Sequence, residues 1–419
     1  MKEAFTDLRD LTRAFASAMN LISPEVQNHH QQVAYLSYRI AEQMQLPAEI
    51  LNNIVYGALL HDVGSIILGP TATLHVLEEH PLALAKKSSE ILSLLPQTRK
   101  IAEIVGSTQL IQSARLRPLS AIRDVRSSGQ IIRLADFVSL LIAPDVSILN
   151  QVSRITETVK SQANEFGSPI VDAFLEISKT ESVWMDMLLR RDAFLDFLPA
   201  HNPLTLERTQ SLTEVMSVII DFRSPFTAMH SAGVAASAVE LARYIGMSEE
   251  EQTMMRIAGN LHDLGKLKIP KEILEKPGKL TDEEFNIIKE HAYYTTILLN
   301  NVSGFEQLAK WAGFHHEKLN GLGYPFRLNA EEIPLGSRIM ACADIFSAIT
   351  EERPYRKGMP KEKVIQVMKE NVERGALCSI IVECLLDNYD AIDAERDRQS
   401  HIAGRRYFES IKNSRQESE

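Results

Sequence analysis

Seven residues in the second half of the chain have side chains that commonly bind transition metals. They are five histidines and two aspartates: His230, His262, Asp263, His291, His315, His316 and Asp344. Neutral imidazole binds Fe, Mn, Zn, Co or Ni, and carboxylate suits the harder end of that series. Seven ligands exceed the needs of one four-coordinate zinc ion, whereas they suit two ions with open coordination positions. The set therefore predicts a binuclear metal site.

A binuclear site of this composition is typical of phosphoester hydrolysis. Hydroxide held between ions ~3.5–4 Å apart attacks phosphorus while the ions neutralise the phosphate charge. Asp263 follows His262 directly, and its two oxygens can bridge two ions. Lys266 lies one helical turn after His262, where an ammonium can hold the scissile phosphate or assist the leaving oxygen. Arg353 and Arg356 flank a proline turn and can bind phosphate or a guanine edge.

Helices must position these ligands, because apolar residues recur at helical spacing along most of the chain. Segments such as VQNHHQQVAYLSYRIAEQM and PAEILNNIVYGALLHDVGSI read as amphipathic helices. Residues 148–200 predict three more, with breaks near Gly167 and Thr180. Residues 115–129 are basic and turn-rich, which predicts a loop. The expected fold class is all-α.

The second half of the chain repeats the first. HHQQVAYLSYRIAEQM matches HSAGVAASAVELARYI, and ALLHDVGSI matches GNLHDLGKL. The interval of 32 residues from His29 to His61 equals that from His230 to His262. Two further pairs follow in order, which are His80 with His291 and Asp136 with Asp344. The chain is thus expected to contain a duplicated helical domain.

The two copies differ at the proposed site. The second has Lys266 where the first has Ser65. Only the second has the pair His315-His316 followed by the turn Gly-Leu-Gly-Tyr-Pro, and the matching stretch IAEIVGSTQLIQSARLRP has no histidine. The first copy keeps several candidate metal ligands and has lost the rest.

Composition limits the classes of protein to consider. The net charge of −10 argues against a nucleic-acid binder held by backbone phosphates. The three cysteines form no CxxC pair, which suits a reducing compartment. The N-terminus lacks the apolar core of a signal peptide, and no apolar run nears the ~18 residues of a membrane span. The expected location is the cytoplasm, without a membrane partner.

The second half resembles the HD-GYP family of the HD phosphohydrolase superfamily. The matching segments are HSAGVA at 230–235, LHDLGKLKIPKEILEKPGKLTDEE at 261–284, KEH at 289–291, HHEKLNGLGYP at 315–325, IPLGSRIMACADIFSAIT at 333–350 and RPYR at 353–356. The resemblance implies a helical domain that hydrolyses cyclic di-GMP to pGpG, GMP or both. It implies that all seven residues are metal ligands, that Asp263 bridges, and that Lys266 contacts the scissile phosphate. Tyr324, Arg353 and Arg356 fall at expected substrate contacts.

Two departures from the family pattern bear on metal number and substrate. Members with a third ion carry Glu one helical turn before the first histidine, and here Phe226 occupies that position. Asp221 lies more than one helical turn from that histidine, so it cannot substitute for the missing Glu. We therefore expect two divalent ions of Fe, Mn, Ni or Zn. Ser347 replaces a common Asp, which leaves 3′,3′-cyclic GMP-AMP as an alternative substrate. A non-catalytic signalling module that binds a cyclic dinucleotide or a protein is the alternative of another class.

The first half resembles the same superfamily without the GYP features. His29, His61, Asp62 and Asp136 match its minimal ligand set. We expect residues 1–200 to form a degenerate HD-like domain with a regulatory or dimerising role, residues 201–395 the HD-GYP domain, and residues 396–419 a charged tail. A homodimer and signalling proteins are candidate partners.

Overall fold

The fold is almost entirely helical in this computed structural model, which confirms the all-α prediction. The structure describes residues 3–22, 28–65, 81–94, 98–109, 120–189, 195, 198, 202–221, 229–351 and 357–416. Within these ranges the strands are β1 (Thr6–Asp7) and β2 (Pro203–Leu204), which pair antiparallel with Thr6 opposite Leu204. None of the helices in this part of the chain has the length and apolar character that a membrane span requires.

The chain divides into two compact units. The first unit is Leu11–Asn202, and the second unit is Pro203–Glu419 together with Met1–Asp10. Residues 1–10 thus group with the second unit, and helix α1 (Leu8–Met19) crosses the division. The assignment of functional domains at residues 200 and 395 stays a prediction.

The helices of the first unit form its apolar core through buried side chains such as Tyr56, Phe174 and Trp184. In the described ranges they are α2 (His29–Gln43), α3 (Ala48–Leu60), α4 (Pro81–Leu92), α5 (Arg99–Gly106), α6 (Ser120–Leu140), α7 (Val152–Ser161), α8 (Ala163–Phe166), α9 (Ser168–Ile177) and α10 (Glu181–Leu189), with a 3₁₀ turn at Ile148–Asn150. The predicted breaks at Gly167 and Thr180 are confirmed.

The loop predicted at residues 115–129 is wrong from Ser120 onward, because α6 begins there. Residues 115–119 lie outside the described ranges. Gly129 suggested a turn, but it lies inside α6, where a Cβ would come within 2.2 Å of the Ser107 hydroxyl. Its role is to let α6 approach the end of α5 closely.

The second unit has a core that includes Phe305, Trp311 and Phe346. Its described helices are α11 (Leu206–Asp221), α12 (His230–Ile245), α13 (Glu249–Leu261), α14 (Lys271–Leu274), α15 (Asp282–Asn300), α16 (Glu306–Gly313), α17 (Leu335–Thr350), α18 (Lys361–Glu373), α19 (Ser379–Asp387) and α20 (Tyr389–Gln416), with a 3₁₀ segment at Leu264–Lys268.

Side-chain caps fix where two site-bearing helices begin. Ser248 starts α13 and Thr281 starts α15, each with a capping box completed by Glu251 and Glu284 respectively. Such reciprocal bonds satisfy amide groups that the first turn of a helix leaves unpaired. α12 packs against α13, α17 and α20. These contacts bring together helices that carry candidate metal ligands.

Candidate metal centre

The seven predicted ligands come together in the second unit. His230 begins α12, His262 caps the end of α13, and Asp263 starts the 3₁₀ segment. His291 lies in α15, Asp344 in α17, and His315-His316 directly follow α16. All are buried except His316, whose side chain is 27% exposed.

The ligand atoms lie at contact distances from one another. His230 Nε2 is 3.1 Å from Asp344 Oδ1. His262 Nε2 is 3.3 Å from Asp263 Oδ2, and His291 Nε2 is 3.6 Å from Asp263 Oδ1. The two oxygens of Asp263 therefore face different histidines, which is the arrangement that a bridging carboxylate requires.

The ligand atoms form three groups that could each hold an ion. His230, His262 and Asp344 form one group, and His291, His315 and His316 form another. A third group, His262, Asp263 and His315, connects them. Within each group the ligand atoms lie within 4.8 Å of one another.

Backbone carbonyl groups select which nitrogen of three histidines faces the centre. The Nδ1 atoms of His262, His291 and His315 lie 2.6–2.7 Å from the carbonyl oxygens three residues earlier, those of Gly259, Ile288 and Ala312. A carbonyl oxygen only accepts, so each Nδ1 carries the hydrogen and donates it. Each Nε2 is thereby left with its lone pair for a metal.

A buried carboxylate outside the predicted set lies beside His230. Glu351 Oε2 is 3.5 Å from His230 Nδ1, and both side chains are 5% exposed. Carboxylates commonly hold metal-binding histidines in this way. No sequence pattern indicated Glu351, because it follows α17 outside the matched segments.

The environment favours the protonation states that metals bind at several of the ligands. Burial lowers the pKa of His291 to about 4, and burial with the neighbouring His291 lowers that of His316 to about 3. Burial would raise the pKa of Asp263, but His262 and Lys266 outweigh it and hold the pKa well below its usual range. His230 differs, because its bonds to Asp344 and Glu351 outweigh burial and raise its pKa to about 10. A metal must displace that proton.

The donor set fits divalent metal ions. His262 Nε2 and Asp263 Oδ1 are buried and have no hydrogen-bond partner among the described residues. Leaving such atoms unsatisfied is costly, typically ~1–3 kcal/mol each. Both belong to the group formed by His262, Asp263 and His315, where an ion would satisfy them.

Lys266 lies at the edge of this centre. Its Nζ is 2.5 Å from Asp263 Oδ2, and 22% of its side chain is exposed. Burial would lower its pKa, but the charge of Asp263 outweighs it and raises the pKa, so the ammonium stays charged. The sequence placed Lys266 on the helix of His262; the structure instead has it in the 3₁₀ segment, because α13 ends at Leu261.

The turn with Tyr324 is held beside His316 by a buried glutamate. The Tyr324 and His316 ring centroids are 4.7 Å apart. The Glu317 carboxylate accepts hydrogen bonds from the backbone amides of Phe326 at 2.7 Å, Arg327 at 3.2 Å and Leu328 at 3.0 Å. Glu317 was not among the residues predicted from the sequence, although its place directly after the histidine pair could have indicated it.

Other predicted positions divide between described and undescribed residues. Arg353, Arg356 and Phe226 lie outside the described ranges. Ser347 is buried, with its hydroxyl 3.5 Å from that of Ser237. Asp221 is also buried, and burial raises the pKa of its carboxyl group well above its usual range, although it accepts a hydrogen bond from Ser231 and lies near the charges of His230 and Lys266.

Comparison with known proteins identifies the class of the second unit. Residues 214–376 match the family model of the HD domain. The second unit therefore contains an HD domain, as the sequence predicted.

Particular relatives refine this likeness. The chain is 28% identical over 400 residues to 3′3′-cGAMP-specific phosphodiesterase 1 of Vibrio cholerae, covering 91% of this chain and 92% of the relative. It is 38% identical over 226 residues to 3′3′-cGAMP-specific phosphodiesterase 3 of Vibrio cholerae, covering 48% of this chain and 49% of the relative. It is 35% identical over 233 residues to the cyclic di-GMP phosphodiesterase response regulator RpfG of Xanthomonas campestris, covering 55% and 54%. The chain thus spans about half the length of the last two relatives.

A solved structure shares the fold over most of the chain. It is the crystal structure of the V. cholerae cyclic GMP-AMP specific phosphodiesterase V-cGAP3, with a TM-score of 0.64 over 92% of this chain and 98% of that chain. The sequence identity is 22%, so the likeness concerns the fold alone.

Proposed function

We propose that the second unit is an HD-GYP phosphodiesterase that hydrolyses 3′,3′-cyclic dinucleotides with two divalent metal ions. The observation that carries the proposal is the pair of adjoining ligand groups, with Asp263 between them and Lys266 at their edge. Relatives named as phosphodiesterases for cyclic di-GMP and 3′3′-cGAMP supply the substrate class.

Each residue of the centre has a proposed role in this reaction. All seven ligands hold the ions, which when bound supply a hydroxide and neutralise charge on the attacked phosphate. Lys266 binds a phosphate oxygen and stabilises the negative charge that develops there. Asp263 holds the Lys266 ammonium in position through their ion pair. Glu351 keeps the His230 ring oriented.

Two substrates of this class remain candidates. The resemblance of the Gly-Tyr-Pro turn to the HD-GYP family favours cyclic di-GMP. The similarity to 3′3′-cGAMP-specific phosphodiesterase 1, which aligns over most of both chains, favours 3′,3′-cyclic GMP-AMP. A non-catalytic binding module is the weaker alternative, because it would leave the charged Lys266 beside the ligands without a role.

A groove beside Tyr324 suits the body of such a substrate. It encloses about 670 Å³, and its lining includes Phe285, Lys289, Lys318 and Arg327. The Phe285 ring lies edge-on to Tyr324 at 6.1 Å, and Lys289 Nζ lies 4.7 Å from the Phe285 centroid. Aromatic faces stack on bases, and cations neutralise phosphates. We propose that this groove binds the nucleotide that is not being cleaved.

Removing the metals should abolish turnover. Because the ions supply the nucleophile, dialysis against a chelator is expected to lower hydrolysis of both dinucleotides by at least ~10³-fold. Adding back Fe²⁺, Mn²⁺, Ni²⁺ or Zn²⁺ singly identifies the ions that restore it. Full activity in protein that elemental analysis finds free of metal would contradict the proposal.

Shortening the aromatic wall of the groove should weaken substrate binding. Phe285→Ala removes a stacking surface, so KM is expected to rise ~10-fold with little change in kcat. Ile297→Ala is the matched control, because Ile297 is similarly exposed on the same helix and does not line the groove. Equal KM values for Phe285→Ala and Ile297→Ala would show that the groove does not bind the substrate.

A further inference from the structure

The last helix of the second unit packs against that unit beyond the part that matches the HD domain. The match ends at residue 376, whereas α20 begins at residue 389. Buried residues recur along α20 at a spacing of three or four, which places them on one face of the helix. They are Tyr389, Ile392, Arg396, Ser400 and Gly404. The last three lie in the stretch that was predicted as a charged tail, so this face of α20 is part of the packed unit as far as residue 404.

Ser400 contacts the start of the helix that carries the first candidate ligand. Its hydroxyl donates a hydrogen bond to the carbonyl oxygen of Met229 at 3.0 Å. Met229 directly precedes His230, which begins α12. The same carbonyl oxygen accepts the amide hydrogen of Gly233 at 3.2 Å, a bond that belongs to the first turn of α12. Ser400 thus holds the peptide group that joins Met229 to His230.

The two helices approach closely at this contact. A Cβ on Gly233 would come 2.7 Å from Ser400 Oγ and 3.3 Å from Arg396 Cγ. Because protein interiors are close-packed, even an alanine at residue 233 would displace the Ser400 hydroxyl from its place against α12. Ser400 is only 6% exposed. Its hydroxyl is therefore confined between the first turn of α12 and its own helix.

A second contact joins α20 to the helix that carries Asp344. The Tyr389 and Phe346 rings meet edge to face, with centroids 5.5 Å apart and an interplanar angle of 87°. This geometry is a favourable one for aromatic pairs. Phe346 is fully buried and lies two residues after Asp344 in α17. α20 therefore contacts both helices that supply the pair His230 and Asp344, in each case within two residues of the ligand.

His230 needs such support more than other histidines of the centre. Three of them donate Nδ1–H to a carbonyl oxygen three residues earlier in the chain. His230 is the first residue of α12 and has no such bond among the described residues, where its Nδ1 instead lies 3.5 Å from Glu351. The position of its backbone thus depends on what packs against the start of α12, and Ser400 lies there.

We propose that α20 positions one side of the metal centre, with Ser400 as the positioning residue. Through Met229 and Phe346 it keeps His230 and Asp344 at the 3.1 Å spacing from which one ion can bind both. The ligand group that contains this pair should depend on α20. The group of three histidines in and beside α15 and α16 should not, because α20 packs chiefly against α12 and α19. This role presupposes the metal-dependent function proposed for the second unit.

Two variants of equal shape isolate the Ser400 hydroxyl. Ser400→Thr and Ser400→Val add the same bulk, and only threonine can donate to the Met229 carbonyl group. Metal-depleted full chains are dialysed to equilibrium against graded free Mn²⁺, and bound metal is counted by elemental analysis. For one ion, half-filling should need ~10-fold more Mn²⁺ in Ser400→Val than in Ser400→Thr, as is typical when a contact that supports a ligand is lost. The binding of other ions should coincide. Superimposable binding curves, or an equal shift for every ion, would overturn the proposal.

Two further variants keep the test decisive if Ser400→Val fails to fold by circular dichroism. Ser400→Ala removes the hydroxyl without adding volume, and it should show the same selective shift relative to the parent chain. His401→Ala is the matched control, because it changes the next residue of α20, whose side chain is 70% exposed. It should bind Mn²⁺ as the parent does, and equal binding by Ser400→Ala and His401→Ala would contradict the proposal. Bound metal is counted independently of hydrolysis, so failure of the proposed phosphodiesterase activity would not be mistaken for failure of this positioning role.

Discussion

Replacing Asp263 with Asn is expected to lower kcat for cyclic dinucleotide hydrolysis by at least ~10³-fold, because one change removes the proposed bridging ligand and the partner of the lysine proposed to bind phosphate. Its two oxygens face His262 and His291, and Oδ2 also contacts Lys266. An amide keeps the size of the side chain, so the fold should survive. It has one oxygen and no charge, so it cannot bridge two cations equally well.

The measurement for Asp263→Asn combines steady-state kinetics with metal content per chain. We expect the Asp263→Asn variant to contain less metal per chain than the parent, in addition to its loss of activity. Asp387→Asn is the matched control, since it changes an exposed aspartate of the same unit at the end of α19. Asp263→Asn with near-parental kcat and metal content would show that this carboxylate is not a bridging ligand.

Lys266→Met should separate phosphate binding from metal binding. We expect kcat to fall ~10²–10³-fold, as for loss of one preorganised charge that stabilises a transition state. The metal content should stay at the parental level, because Lys266 donates to Asp263 and is not itself a ligand. Methionine retains most of the apolar stem that packs along the protein.

Lys268→Met is the control for Lys266→Met. Lys268 lies two residues further along the same 3₁₀ segment and is also partly exposed. The measurement is the kcat and the metal content per chain of both variants. If the two lysine variants have the same kcat, Lys266 does not act on the phosphate.

Much of the centre could be predicted from the sequence, because its information is carried by order and spacing. The duplicated interval between His29 and His61, and between His230 and His262, identified equivalent helices without any structure. Strong helical periodicity gave the all-α class. The seven ligands come together because each lies at or near a helix terminus, or on a helix that packs around the same core.

The parts that sequence could not give depend on contacts between distant segments. Gly129 looked like a turn signal, and only the approach of Ser107 explains a glycine inside α6. His80, which lies outside the described ranges, looked like the counterpart of His291. The amide of Gly64 donates to Ser88 as that of Gly265 does to Thr295, and four residues before these acceptors Leu84 has the position of His291. Glu351 lies beside His230, which is far from it in the chain, so no local pattern could reveal this contact.

The most direct test of the proposed activity is product analysis with the metal-loaded protein. Cyclic di-GMP and 3′,3′-cyclic GMP-AMP are each incubated with the parent chain and with His262→Ala/Asp263→Asn, and products are separated by chromatography and identified by mass spectrometry. The proposal predicts linear dinucleotide or mononucleotides from at least one substrate with the parent chain, and none with the double variant. Intact cyclic dinucleotide after incubation with folded protein that carries its metals would contradict it.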